Sequence, residues 1–167
     1  WHTVLLIDDS GSMEGQPAAD VSLGLETMLS EMAMLAGGNK KPYFKVSIIK
    51  FGSHVTQMAA AQSPADLEGR LGSFLGDGGT TNMASAFREA ENVLRANPGQ
   101  ATDFQPWVFL FSDGRPDDAN AAISAAQSLK SMQLPAGPPY VMAFGFGDVD
   151  DGLMQEVCSN REAYKRV

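Results

Sequence analysis

Three short stretches of this sequence place hard oxygen donors beside glycine. Asp8-Asp9-Ser10-Gly11-Ser12 sets a carboxylate and two hydroxyls at alternate positions. Alternate residues of an extended stretch point the same way, so Asp8, Ser10 and Ser12 can converge on one point. Gly78-Gly79-Thr80-Thr81-Asn82 adds two threonine hydroxyls, and Ser112-Asp113-Gly114 adds a second carboxylate. Donors of this kind suit Mg²⁺ or Mn²⁺, with Ca²⁺ also admissible. The lack of thiols and the scarcity of His there disfavour zinc. Few carboxylates among many neutral hydroxyls leave a dication under-neutralised. Such an ion stays a strong Lewis acid and attracts one more carboxylate from outside the chain.

Convergence requires a scaffold that brings the three stretches to one edge. Strand-like and helix-like segments alternate along the chain. Thr3 to Ile7 (TVLLI) is a continuous apolar run, as a strand buried on both faces should be. Ala18 to Leu35 carries apolar residues at helical spacing, with Gly37-Gly38 as the stop. Phe44 to Phe51 reads as the next strand, with His54 to Ala59 as an edge strand in a hairpin. Pro64 to Leu71 reads as a short helix opened by Ser63 and Pro64. A helix from Met83 to Ala96 follows the glycine-rich turn. Trp107 to Phe111 and Tyr140 to Phe146 read as buried strands. Asp117 to Met132 and Asp150 to Cys158 read as helices. Repeated strand–helix–strand crossovers imply an α/β, doubly wound, mostly parallel sheet with helices on both faces. Ligands of such sheets bind outside the carboxyl ends of the strands, which is where Asp8 and Asp113 fall. There is no internal repeat or linker, so one domain is expected over residues 1–167.

The motifs DDSGSM (Asp8 to Met13), GGTTNMASAF (Gly78 to Phe87) and FLFSDGRPDD (Phe109 to Asp118) resemble the metal-ion-dependent adhesion site of von Willebrand factor A domains. Asp8, Ser10, Ser12 and Asp113 match the family pattern Asp-x-Ser-x-Ser followed by Thr and then Asp. The resemblance implies Thr81 rather than Thr80 as the threonine ligand, because Ala86-Phe87 stands at the family's offset from Thr81. It also implies a Rossmann-like fold and cation-dependent protein binding, with a partner carboxylate completing the metal's coordination. Glu14 to Leu29 and Asp103 to Pro116 are most similar to the bacterial stand-alone TerY-type group. That group is associated with tellurium resistance and with operons carrying a protein kinase and a PP2C-type phosphatase, which makes such an enzyme the implied partner. The family usually ends in a last strand and helix, whereas this sequence stops at Ala163 to Val167. The final strand is therefore expected only in part.

Several polar residues have plainer readings. Taken alone, Asp8, Ser10 and Ser12 would serve equally to cap a turn and the next helix. Thr81 and Asp113 in register tip the balance to a metal. Asp9 is expected to face away, on a solvated rim. Asp117 and Asp118 are expected to cap or start the following helix. Asp148 to Gly152 lacks the spacing and distal Glu of an EF-hand and is expected to start a helix. The Met residues, His2, His54 and Cys158 are read as packing or surface residues.

Composition excludes other classes. With 12 Lys plus Arg against 20 Asp plus Glu, the net charge of −8 repels nucleic-acid backbones and anionic membranes. A single cysteine excludes an internal disulfide and a cysteine-rich zinc site. It is compatible with a reducing compartment, and a cytoplasmic location is expected. No apolar run approaches the ~20 residues of a membrane helix. The competing function is an Mg²⁺-dependent phosphohydrolase of the haloacid-dehalogenase type, suggested by Asp8 at the end of the first strand. Such an enzyme needs an acid two residues later, where this sequence has Ser10. Neither G-x-S-x-G nor G-x-G-x-x-G follows a strand in the required place. The chain is therefore expected not to be an enzyme.

Overall fold

The apolar run at the start of the chain forms the centre of the sheet. β1 (His2–Asp8) is buried at every position after its first residue. In the computed structural model, which describes residues 1–37, 43–72 and 74–167, it pairs in parallel with β2 (Lys45–Phe51) on one side and β4 (Trp107–Ser112) on the other. The sheet order is β3-β2-β1-β4-β5-β6, with β3 (Val55–Gln62), β5 (Tyr140–Gly145) and β6 (Tyr164–Arg166). Among the described residues only the hairpin strand β3 is antiparallel to its neighbour. The chain moves outward in one direction from β1 to β2 and in the other from β4 to β5. The switch point between β1 and β4 opens a crevice at their carboxyl ends.

Helices cover both faces. α1 (Gln16–Ala36) lays Val21, Leu25 and Leu29 on Leu5, Ile7, Val46 and Ile48. On the opposite face α3 (Met83–Ala96), α4 (Ala119–Lys130) and α5 (Asp151–Val157) cover Val4, Leu6, Val108, Leu110, Val141 and Ala143. Phe87 and Met83 of α3 are fully buried, and each such side chain stabilises the fold by about 1.5–3 kcal/mol. Gly37 follows α1 and bonds back to the Ala33 carbonyl; Gly38, the second half of the expected stop, lies outside the described residues. The helix expected over Pro64 to Leu71 is shorter, α2 (Pro64–Leu67), because Glu68 leaves helical geometry and Gly69 takes a positive φ.

Two strands depart from expectation. β4 and β5 were expected to be buried on both faces, but each alternates between buried and half-buried positions. Trp107, Phe109, Phe111, Tyr140 and Phe144 form a connected aromatic row, with Phe111 and Phe144 stacked at 5.2 Å. α1 lies over β1 and β2, so this row stays half covered. β6 pairs with β5 at Ala143↔Tyr164, Phe144↔Lys165 and Gly145↔Arg166.

Candidate metal centre

Eight polar or charged side chains are buried among the described residues, and six of them stand at the carboxyl ends of β1 and β4 or on the loop beside them. They are Asp8, Asp9, Ser10, Thr81, Ser112 and Asp113. Polar groups enter a protein interior only with partners, so this concentration has to be accounted for atom by atom.

Asp8 closes β1 and is 1% exposed. Its Oδ1 accepts the Ser10 amide at 2.9 Å and the Ser10 hydroxyl at 2.5 Å, and its Oδ2 accepts the Ser112 hydroxyl. Ser10 Oγ lies 3.2 Å from Ser12 Oγ. The alternate-residue spacing of the loop thus does bring Asp8, Ser10 and Ser12 together. Burial pushes the Asp8 carboxyl up to about 6. The bonds from Ser10 and Ser112 hold it down, and the nearby charge of Asp113 raises it further. Asp113 is 3% exposed; its Oδ1 accepts the Arg115 amide at 3.1 Å, and its peptide oxygen accepts the Asp150 amide. The ion pairs among the described residues engage Asp9, Glu91, Asp148 and Asp151, not these two carboxylates.

Thr81 is 5% exposed and is fixed through its backbone. Its amide donates to Asp117 Oδ1 at 3.0 Å, while the Asp117 amide donates to the Thr81 carbonyl at 3.0 Å. Asn82 then caps α3 by accepting the Ser85 amide. Of the two acids expected at the start of α4, Asp118 caps it by accepting the Ala121 amide, and Asp117 ties Thr81 to the end of β4 instead. Asp150 caps α5, in line with a helix start there.

Asp9 corrects an expectation. It is 2% exposed rather than on a solvated rim, because the loop of residues 74–79 folds over it. Its Oδ1 accepts the amides of Leu75 and Gly76 at 3.0 and 2.9 Å, and its Oδ2 pairs with Lys50 Nζ at 2.9 Å. Glycine permits the close approach. Gly76 has a φ of +69°, and a Cβ on it would overlap the backbone of Glu14; one on Gly52 would overlap the carbonyl of Gly78.

The donor set fits a hard dication. Among the described residues no three His, Cys, Asp or Glu side chains converge, so a metal here would rest on two carboxylates and on hydroxyls. Two buried carboxylates without a cationic side chain are costly, and a dication is the charge that offsets them. Ser112, Asp117 and Asp9 are the site residues that sequence reasoning missed. Ser112 alone carried a signal, since it stands next to Asp113 at a strand end.

The sequence matches the von Willebrand factor type A domain family over residues 3–167. No curated protein matches it significantly. Similar solved structures include the pilus adhesin SpaC from Lactobacillus rhamnosus GG, with a TM-score of 0.78 at 17% identity over 99% of this chain and 28% of that one. Proximal thread matrix protein 1 from the mussel byssus, with a zinc-occupied MIDAS motif, gives 0.77 at 17% identity over 99% and 43%. Manganese-loaded Plasmodium vivax TRAP protein gives 0.65 at 19% identity over 99% and 67%. The chain spans less than half the length of the mussel and pilus proteins. At these identities the likeness is one of fold.

Proposed function

The chain belongs to the von Willebrand factor type A family, whose domains are generally interaction modules rather than enzymes, and from that premise we propose that it binds one divalent cation and uses it to capture a partner protein. The ligand set is Asp8, Ser10, Ser12, Thr81 and Asp113, supplied by three loops of a single domain. The observation that carries the reading is Asp8: a buried carboxylate, pushed up by that burial, ringed by the hydroxyls of Ser10 and Ser112 and faced by Asp113. A bound dication would supply Lewis acidity toward an incoming carboxylate. Asp8 and Asp113 would neutralise it, while Ser10, Ser12 and Thr81 would add neutral oxygens and leave it attractive to that carboxylate. Ser112 bonds to Asp8 and Asp117 to the backbone of Thr81, and each holds its partner in place.

Mg²⁺ or Mn²⁺ suits this oxygen set, with Ca²⁺ as a further candidate. Zinc enters as a competitor because the mussel protein's MIDAS motif holds it. The likeness of Glu14 to Leu29 and Asp103 to Pro116 to the TerY-type group supports a bacterial, cytoplasmic stress or metal-resistance role. A protein kinase or PP2C-type phosphatase is then the first partner to try. Among the described residues no helix is long and apolar enough to cross a membrane. No observation favours the phosphohydrolase reading. Ser10 stands where the general acid would be, and its hydroxyl is bonded to Asp8.

Calorimetric titration with Mg²⁺, Mn²⁺, Ca²⁺ and Zn²⁺ tests the site and ranks the ions. One saturable site, abolished by Ser10→Ala with Asp113→Ala, is expected. Equal binding by that double variant would place the metal elsewhere.

A further inference from the structure

Asp9 is not among the five proposed ligands, yet at 2% exposure it is as buried as Asp8, Ser10 and Asp113. Its two oxygens serve two different elements. Oδ1 takes the amides of Leu75 and Gly76, and Oδ2 takes the ammonium of Lys50 on β2. Its backbone bonds to the same two: the Asp9 amide donates to the Phe51 carbonyl of β2 at 2.8 Å, and its carbonyl accepts the Gly78 amide of the loop at 2.7 Å. The Gly11 amide reaches the Gly79 carbonyl at 2.9 Å. The loop that delivers Thr81 is therefore tied to the loop that delivers Asp8, Ser10 and Ser12, and Asp9 makes most of those ties.

We propose that Asp9, held by Lys50, is the positioning residue that keeps the residue 74–81 loop registered on the Asp8–Ser12 loop, so that Thr81 stands ready before a cation arrives; the proposal rests on the metal reading above. The physical argument is one of preorganisation. Loops that must be ordered on binding lose affinity to the ordering, and two amides held by a buried carboxylate remove that loss in advance. Lys50 balances the Asp9 charge, so the pair fixes geometry without adding net charge beside the ion. Because Asp9 turns its oxygens to the amides and to Lys50, it acts on the metal through Thr81.

The test uses Mn²⁺ as the probe, with free Mn²⁺ counted by electron paramagnetic resonance. Amide hydrogen exchange at Leu75 and Gly76 is read in the metal-free protein. The variants are Asp9→Ala, Asp9→Asn and Lys50→Met. Val157→Ala, a fully buried position on α5, is the control for general destabilisation. Asp9→Ala is expected to weaken Mn²⁺ binding by about tenfold and to speed exchange of both amides. Asp9→Asn keeps an oxygen for the amides and should fall between it and the wild type. If Asp9→Ala does not fold, Asp9→Asn and Lys50→Met decide by the same two readouts. Wild-type Mn²⁺ affinity in the folded Asp9 variants overturns the positioning role alone. Equal weakening in Val157→Ala overturns it too, since stability would then be the cause. A wild type that takes up no Mn²⁺ overturns the metal reading itself.

Discussion

Ser112, at the end of β4, donates its hydroxyl hydrogen to Asp8 Oδ2 at the end of β1. The parallel register pairs Ile7 with Phe111, so the next residue of each strand meets its counterpart as the sheet ends. The same Ser112 oxygen accepts the Gly114 amide at 3.0 Å. One hydroxyl thus sets the orientation of Asp8 and the turn that carries Asp113. Ser112→Ala should weaken Mn²⁺ binding by about tenfold, as loss of a ligand's supporting bond does. It should also lower metal-free stability by about 1–3 kcal/mol, because a buried acceptor loses its donor. Calorimetry and urea unfolding in EDTA read the two effects. Unchanged affinity would mean that Ser10 alone orients Asp8.

Asp8→Asn should separate binding from folding. The substitution keeps the shape of the side chain and removes a charge that burial disfavours. In EDTA the variant should melt at or above the wild-type temperature. Saturating Mn²⁺ should then raise the wild-type midpoint alone. At a hundredfold excess over the dissociation constant that gain is about 2.7 kcal/mol. The large apolar core should hold the metal-free protein folded. A wild type that unfolds completely in EDTA would refute that separation, and an equal Mn²⁺ gain in Asp8→Asn would remove Asp8 from the site.

Some of this architecture is legible in residue order and some is not. Helix α3 shows its bounds because Asn82 caps it and its apolar residues keep one stripe from Met83 to Leu94. The convergence of Asp8, Ser10 and Ser12 is legible because alternation is a local property of the chain. Asp9 is not legible: the same alternation turns it away from Asp8, and nothing local announces that Leu75 and Gly76 will cover it. Those amides come from 66 and 67 residues farther along the chain. The half-covered aromatic row fails for a related reason. Phe109 and Phe111 sit in an apolar run that reads as buried on both faces, and only tertiary placement decides which strands α1 covers.

His2 should make the fold sensitive to mild acid. Burial lowers its imidazole from 6.5 to about 4, with Lys45 and the terminal amine opposing its charge and the Asn97 backbone favouring it. Its Nε2 lies 2.8 Å from the Ser47 hydroxyl. A depressed folded value means that the unfolded chain takes up the proton first. The stabilising contribution of neutral His2 is therefore complete above pH 6.5 and is lost as pH falls through about 4. Urea unfolding of wild type and His2→Gln, at steps across that window in EDTA, measures it. The two slopes should diverge there, with the wild type losing stability faster. Parallel slopes would show that His2 is already protonated in the folded protein.

Partner binding should run through the cation and a carboxylate supplied by the partner. The chain carries a net charge of −8, and Asp117 and Asp118 stand beside Thr81 in one pocket. A carboxylate approaching such a surface is repelled unless a strong local positive charge receives it. The buried oxygen set at the carboxyl ends of β1 and β4 is the place where a dication could supply that charge. Its hydroxyl ligands carry none of the neutralising charge, so an incoming carboxylate would complete both charge and coordination. Basic residues flanking that carboxylate would then meet the acidic rim and add specificity. The measurement starts from a pull-down with and without EDTA, with the proposed kinase or PP2C-type phosphatase as the first candidate to try. The affinity of the recovered partner is then determined for wild type and Thr81→Ala, each in Mg²⁺ and in EDTA. Wild type should weaken strongly in EDTA, and Thr81→Ala should be weak in both. Equal affinity under all four conditions would assign the binding to another face of the domain.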